Sequence, residues 1–191
     1  MKYLKYYNAV AGLSWLAYFL LLLSSGMVFS TPQLILLTIA QGLAVLEIIH
    51  AAIGWVKSPV LLTAAQVASR LLVLVIIHLL FACPPLSKVT RLGLLLISIT
   101  WSVTEIIRYG YYYFQLNQQE VKVVSWLRYT LFIAFYPLGI TGEWLLFTAP
   151  LLQQPPHIPF YNWFFAANAL IYLMVFPRLY GYMWQQRKKK V

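Results

Sequence analysis

Runs of apolar residues, each about as long as a bilayer crossing, alternate along this chain with short polar breaks. A transmembrane helix needs about 20 mainly apolar residues, since each residue rises ~1.5 Å through a hydrocarbon layer ~30 Å thick. Six runs meet that length: Tyr7–Phe29, Gln33–Ile53, Val60–Ala82, Leu92–Phe114, Val123–Ala149 and Phe160–Trp184. The breaks carry turn chemistry: Ser30-Thr31-Pro32, Lys57-Ser58-Pro59, Cys83-Pro84-Pro85, Asn117-Gln118-Gln119 and Gln153-Gln154-Pro155-Pro156. Strands of a membrane barrel are shorter and alternate in polarity, which these runs do not. The pattern predicts an all-α polytopic membrane protein, one six-helix transmembrane bundle over residues 1–191, with residues 185–191 as a basic tail.

Composition agrees. Hydrophobic residues make up 62% of the chain and charged residues 9%, where a soluble domain has about a quarter charged. The mean hydropathy is +0.75. So few charges cannot cover a water-facing surface, and lipid is the expected solvent. Lys2 and Lys5 ahead of the first run resemble the start of a signal peptide. That run is long enough to span, however, and no clear small-x-small cleavage site follows it, so it reads as the first span.

The 14 Lys and Arg against four acids give a net charge of +10. Without zinc-finger spacing or a basic soluble helix, this points to lipid head groups and phosphate-bearing substrates, not to nucleic acid. With six spans both termini share a side with Lys57 and Lys122, while the other side's loops hold only Lys88 and Arg91. Positive residues favour the cytoplasm, so both termini are expected there. The ending Lys188-Lys189-Lys190-Val191 resembles a dilysine endoplasmic-reticulum retrieval signal, and equally a stop-transfer cluster. Tyr6, Tyr7, Trp163 and Trp184 suit an interfacial aromatic belt. The lone Cys83 excludes an internal disulfide. Val89 stands where a phosphatase-type phosphate loop after Cys83 needs Arg.

Ionisable side chains at bilayer depth cost at least ~2.5–3.5 kcal/mol and are expected to face the bundle interior. Here they are Glu47 and His50 on the second run, Arg70 on the third, Glu105 and Arg108 on the fourth, Arg128 and Glu143 on the fifth, and Arg178 on the sixth. Glu47 and His50 share a helix face at i, i+3, as do Glu105 and Arg108, which read as a self-neutralising pair. A di-iron site would need a second Glu-x-x-His and two more Glu. The chain has only three His, so no metal is expected. The predicted orientation puts Glu47, His50, Glu105, Arg108, Arg128 and Arg178 in the cytoplasmic half, as a polar mouth above an apolar interior suited to an acyl chain. His78 and Cys83 read as isolated packing residues.

The fifth run is the most unusual, with Tyr136-Pro137-Leu138-Gly139-Ile140-Thr141-Gly142-Glu143. Pro137 removes a backbone donor and is expected to kink the helix. Gly139 and Gly142 admit a close neighbour or ligand. Tyr136 and Glu143 are two turns apart on one face, their Cα atoms ~10 Å apart, with Tyr136 ~20 Å from the cytoplasmic end. A carboxyl in apolar surroundings can take and give protons near neutral pH. With a phenol beside it, it suits elimination of water: one group removes the C2 proton, the other assists departure of a 3-hydroxyl. A structural Glu–Tyr or Glu–Arg contact is the competing reading.

These stretches resemble the very-long-chain (3R)-3-hydroxyacyl-CoA dehydratase family, also described as protein-tyrosine-phosphatase-like. The resemblance runs through YLKYYN at the start, LEIIHAAIGWVKSP from Leu46, QVASR ending at Arg70, WSVTEIIRYGYYY from Trp101 and LRYTLFIAFYPLGITGE from Leu127 to Glu143. It implies a six-span endoplasmic-reticulum lyase of fatty-acid elongation, working without a cofactor beside a condensing enzyme, a ketoacyl-CoA reductase and an enoyl-CoA reductase. The implied catalytic pair falls on Tyr136 and Glu143, in either acid–base assignment, with Arg70, Arg128 and Gly139 in support. Glu47, His50, Glu105 and Arg108 complete the expected polar set. The rival expectation is a non-catalytic membrane scaffold or transporter with a buried charge network.

Overall fold

Without water in the hydrocarbon layer, each backbone N–H and C=O must find its partner inside the protein, and apolar runs satisfy this as helices. The computed structural model describes residues 2–82, 84–153 and 161–190. They form α1 (Lys2–Ser24), α2 (Thr31–Leu43), α3 (Val45–Ala52), α4 (Val60–Phe81), α5 (Lys88–Leu116), α6 (Lys122–Thr130), α7 (Phe132–Gln153) and α8 (Tyr161–Lys190). Among the described residues five segments are long and apolar enough to cross a membrane: Lys2–Ser24, Thr31–Ala52, Val60–Phe81, Lys88–Leu116 and Phe132–Ala149. The sixth expected run begins at Phe160, outside the described residues. α8 coincides with the rest of it and continues helically through the basic tail.

α5 is the central pillar. It packs against α7 and α1 along most of its length and against α6 at its C-terminal end. α4 closes the bundle between α2, α3 and α7, and α8 lies on α6 and α7. Trp15, Tyr18, Ile77, Leu94, Ile97 and Leu146 fill the interior. The buried Tyr18 hydroxyl meets Ser98 Oγ at 2.7 Å, so neither polar atom is left unpaired in the core. Leu13, Leu20, Ile35, Leu61, Val75 and Leu92 point outward, as a lipid-facing surface requires. Where α5 crosses α7 the backbones nearly touch: a Cβ on Gly142 would lie 2.7 Å from Ile97 Cγ2 and 3.0 Å from the Ile97 backbone nitrogen. Small residues at such crossings let membrane helices gain van der Waals contact that lipid cannot supply.

Two expected continuous helices are broken. The second run parts at Ala44, where the Glu47 N–H bonds the Ala44 carbonyl at 3.0 Å. The Leu43 carbonyl instead accepts from the Tyr7 hydroxyl of α1, also at 3.0 Å. The fifth run parts at Leu131, and α7 continues as one helix through Pro137. Pro137 has no N–H to offer the Ile133 carbonyl one turn back. Tyr180 of α8 donates to that carbonyl in its place, at 3.2 Å.

Two smaller expectations also change. Tyr7 is a buried hydrogen-bonding residue and not a belt anchor, while Tyr6 is 70% exposed. His78 is not isolated: its ring bonds the Leu74 carbonyl at 2.9 Å and Thr38 Oγ1 of α2 at 3.2 Å. Cys83, residues 154–156 and the Trp163 side chain lie outside what is described.

Candidate functional site

Four charges from three segments meet beside α5. Arg108 is the hub: its Nε donates to Glu105 Oε2 at 2.7 Å, its Nη1 to Glu47 Oε2 at 2.9 Å and its Nη2 to Glu47 Oε1 at 2.6 Å. Arg70 of α4 pairs with the other Glu105 oxygen and lies over the Trp101 ring, 5.5 Å from its centroid. Tyr109 donates to Glu47 Oε1 at 2.6 Å. Glu105 is 1% exposed. Two carboxylates and two guanidiniums cancel, which is how a buried ionic group avoids the cost of an unpaired charge. The expected local Glu105–Arg108 pair is therefore the centre of a larger network that reaches Arg70 and Glu47.

The cluster forms because the α2–α3 break re-aims Glu47 toward α5, while Glu105, Arg108 and Tyr109 share adjacent positions on that helix. His50 shares the α3 face but not the chemistry of Glu47. It is buried among rings, 5.4 Å from Tyr3 and 4.6 Å from Tyr7 edge-on, and stacked 5.8 Å from Trp55. Its Nε2 meets the Tyr3 hydroxyl at 3.3 Å.

Tyr136 and Glu143 occupy α7, both half-buried, and interact electrostatically with each other. Arg70, paired with Glu105, also feels the charge of Glu143. The Tyr136 ring stacks on Phe176 and Tyr180 of α8. Gly139, one turn after Tyr136, lies against Thr100 of α5: a Cβ there would be 3.3 Å from Thr100 Oγ1. Gly139 and Gly142 thus admit α5 and not a ligand, and their closeness sets the face on which Tyr136 and Glu143 stand.

Arg128 is outside the four-charge network. It interacts electrostatically with Tyr111, whose ring meets Tyr129 edge-on at 6.1 Å. Tyr111 lines a cleft of about 280 Å³ at the α5–α6 turn, with Phe114, Gln115, Gln118, Glu120 and Ser125. Arg178 on α8 is exposed. The sequence reading overlooked Tyr7, Tyr109, Trp101, Phe176 and Tyr180 as partners of the polar set. For the last two a signal exists: Phe176, Tyr180 and Trp184 recur every fourth residue, one stripe on a helix face.

Fold and site together define a multi-pass α-helical membrane protein with a charge-compensated core and a separate tyrosine–carboxylate pair on one helix. The profile of the family described as protein tyrosine phosphatase-like protein, PTPLA, matches residues 41–191. The chain belongs to that family. It is 39% identical over 210 residues to very-long-chain (3R)-3-hydroxyacyl-CoA dehydratase hpo-8 of Caenorhabditis elegans, covering 98% of this chain and 93% of that protein. Identity is 35% over 208 residues to very-long-chain (3R)-3-hydroxyacyl-CoA dehydratase 2 of Mus musculus, covering 98% and 80%. It is 32% to the probable very-long-chain (3R)-3-hydroxyacyl-CoA dehydratase of Schizosaccharomyces pombe, covering 99% and 92%. No solved structure matches.

Proposed function

We propose that this protein dehydrates very-long-chain (3R)-3-hydroxyacyl-CoA to the trans-2-enoyl-CoA and water, as a lyase of fatty-acid elongation. Relatives that carry this name, matched over 80% to 93% of their length, support the reaction. The observation that carries the site assignment is the placement of Tyr136 and Glu143, both half-buried, two turns apart on one face of α7. Glu143 takes the C2 proton, and the electrons of that C–H bond form the C2=C3 double bond. The C3–O bond breaks, and Tyr136 gives its proton to the departing hydroxyl, which leaves as water. Return of the proton from Glu143 to the phenolate restores the starting state. Arg70 and Arg128 support the site without touching the reacting atoms, and Gly139 sets the α5–α7 spacing.

The enzyme works in the endoplasmic-reticulum membrane with six spans and both termini in the cytoplasm. Its thioester substrate enters from the cytoplasmic side, where the α5–α6 cleft and Arg128 lie in this orientation. The condensing enzyme, the ketoacyl-CoA reductase and the enoyl-CoA reductase are its partners. Purified protein in nanodiscs, given a labelled long-chain 3-hydroxyacyl-CoA, tests this by release of the enoyl product. General acid–base groups each contribute ~10²–10⁴-fold, so Glu143→Gln and Tyr136→Phe are expected to lower kcat by about that factor while remaining folded. Near-normal turnover by either variant overturns the assignment.

A further inference from the structure

Three rings lie nearly parallel where α7 meets α8. Tyr136 stacks on Phe176 with centroids 5.4 Å apart and planes 12° apart, and on Tyr180 at 6.1 Å and 7°. Phe176 and Tyr180 stack on each other at 5.5 Å. Phe132, at the first position of α7, meets Tyr180 edge-on at 5.7 Å and Trp184 at 5.6 Å. The Tyr180 hydroxyl meanwhile donates to the Ile133 carbonyl at 3.2 Å. One side chain of α8 thus touches both the Tyr136 ring and the backbone turn that carries it.

That backbone turn is weakly supported by α7 itself. It follows the break at Leu131, and Pro137 withholds the N–H that would bond Ile133. Inside a bilayer no water replaces a missing donor, and another part of the protein must supply one. We propose that Tyr180 is a positioning residue for the dehydration: its hydroxyl fixes the Ile133 carbonyl orphaned by Pro137, and its ring fixes the angle at which Tyr136 meets substrate. The proposal rests on the reading of Tyr136 as the group that protonates the leaving hydroxyl. A misplacement of about 1 Å at a proton-transferring group can cost ~10²-fold in rate, so small gains in order at this turn matter to kcat.

The two contacts separate by substitution. Tyr180→Phe keeps the ring and removes the donor; Tyr180→Leu removes both. With the full-length protein in nanodiscs, Tyr180→Phe is expected to lower kcat about three- to ten-fold at unchanged KM, the size of one net hydrogen bond expressed in the transition state. Tyr180→Leu is expected to lower it about 10²-fold. Tyr182→Phe, at a residue 57% exposed on the same helix, is the control and leaves kcat unchanged. A readout independent of turnover is 3-fluorotyrosine at position 136. It gives one fluorine resonance in the parent protein and a shifted, broadened one in Tyr180→Leu.

Normal kcat in folded Tyr180→Phe and Tyr180→Leu overturns the proposal, as does an unchanged fluorine signal in Tyr180→Leu. If Tyr180→Leu does not fold, kcat of Tyr180→Phe decides alone: lowered at constant KM it supports the proposal, and unchanged it overturns it. If the parent protein makes no enoyl-CoA, the dehydratase reading falls. The fluorine signal then still decides whether Tyr180 holds the Tyr136 ring.

Discussion

The ionic cluster around Arg108 and the Tyr136–Glu143 face of α7 use the same chemical vocabulary to different ends. Each combines carboxylate, phenol and arginine from neighbouring helices. In the cluster, both Glu105 oxygens and both Glu47 oxygens accept from guanidinium groups, Tyr109 adds a further donor, and Glu105 is closed off from its surroundings. On α7, Glu143 and Tyr136 are half-buried, and the phenol is held through its ring by other aromatic rings. A carboxylate saturated by two guanidiniums is fixed in charge and place, which suits holding helices together. A carboxylate coupled to a phenol at a half-buried position suits exchanging a proton. Sequence spacing alone presents both as acid and base a turn or two apart; burial distinguishes them, Glu105 being 1% exposed and Glu143 half-buried.

If that contrast is right, damage to the cluster should cost stability and damage to α7 should cost turnover. The largest effect is expected at the cluster's centre. Glu105→Ala removes a fully buried carboxylate and leaves the partly exposed Arg70 and Arg108 each with one fewer partner, a loss of up to about 3–5 kcal/mol for a broken buried pair. It is expected to abolish the monodisperse peak in detergent gel filtration; a monodisperse, heat-stable Glu105→Ala protein would collapse the distinction. Next comes the seam between the two regions. Gly142→Ala puts a methyl 2.7 Å from Ile97 Cγ2 and 3.0 Å from backbone. Overpacking of this kind costs about 1–3 kcal/mol and is expected to lower both Tm and kcat, since the α5–α7 spacing serves both regions. The smallest effect is expected from Tyr7→Phe, which frees the Leu43 carbonyl at the α2–α3 break. The cost of about 1 kcal/mol should appear as a small drop in Tm at unchanged kcat. A large drop in kcat there would place the break within the catalytic machinery.

Most of the fold was legible because hydrophobic length dictates it. The bounds of α4 and α5 fall close to the apolar runs, α1 begins and ends five residues before its run, and the buried charges were recognisable from their depth alone. The breaks at Ala44 and Leu131 were not. Neither residue is a helix breaker, and at the first the Leu43 carbonyl is satisfied from another helix, by Tyr7. Spacing identified the Glu105–Arg108 pair correctly. It could not reveal that Glu47 and Arg70 complete it, because those partners are 61 and 35 residues away in sequence and meet only through helix packing. Glu47 and His50, equal on a helical wheel, diverge because one side of α3 faces α5 and the other faces the aromatic rings of Tyr3, Tyr7 and Trp55.

The balance of two carboxylates against two guanidiniums in the cluster has an electrical consequence. A membrane potential of 100 mV does ~2.3 kcal/mol of work on each elementary charge that crosses it, and voltage-driven machines move uncompensated charge for that reason. Glu47, Glu105, Arg70 and Arg108 sum to zero and are tied to one another, so a change in voltage exerts almost no net force on them as a group. The cluster itself therefore offers a membrane potential no net charge to move, which befits a group that holds helices together.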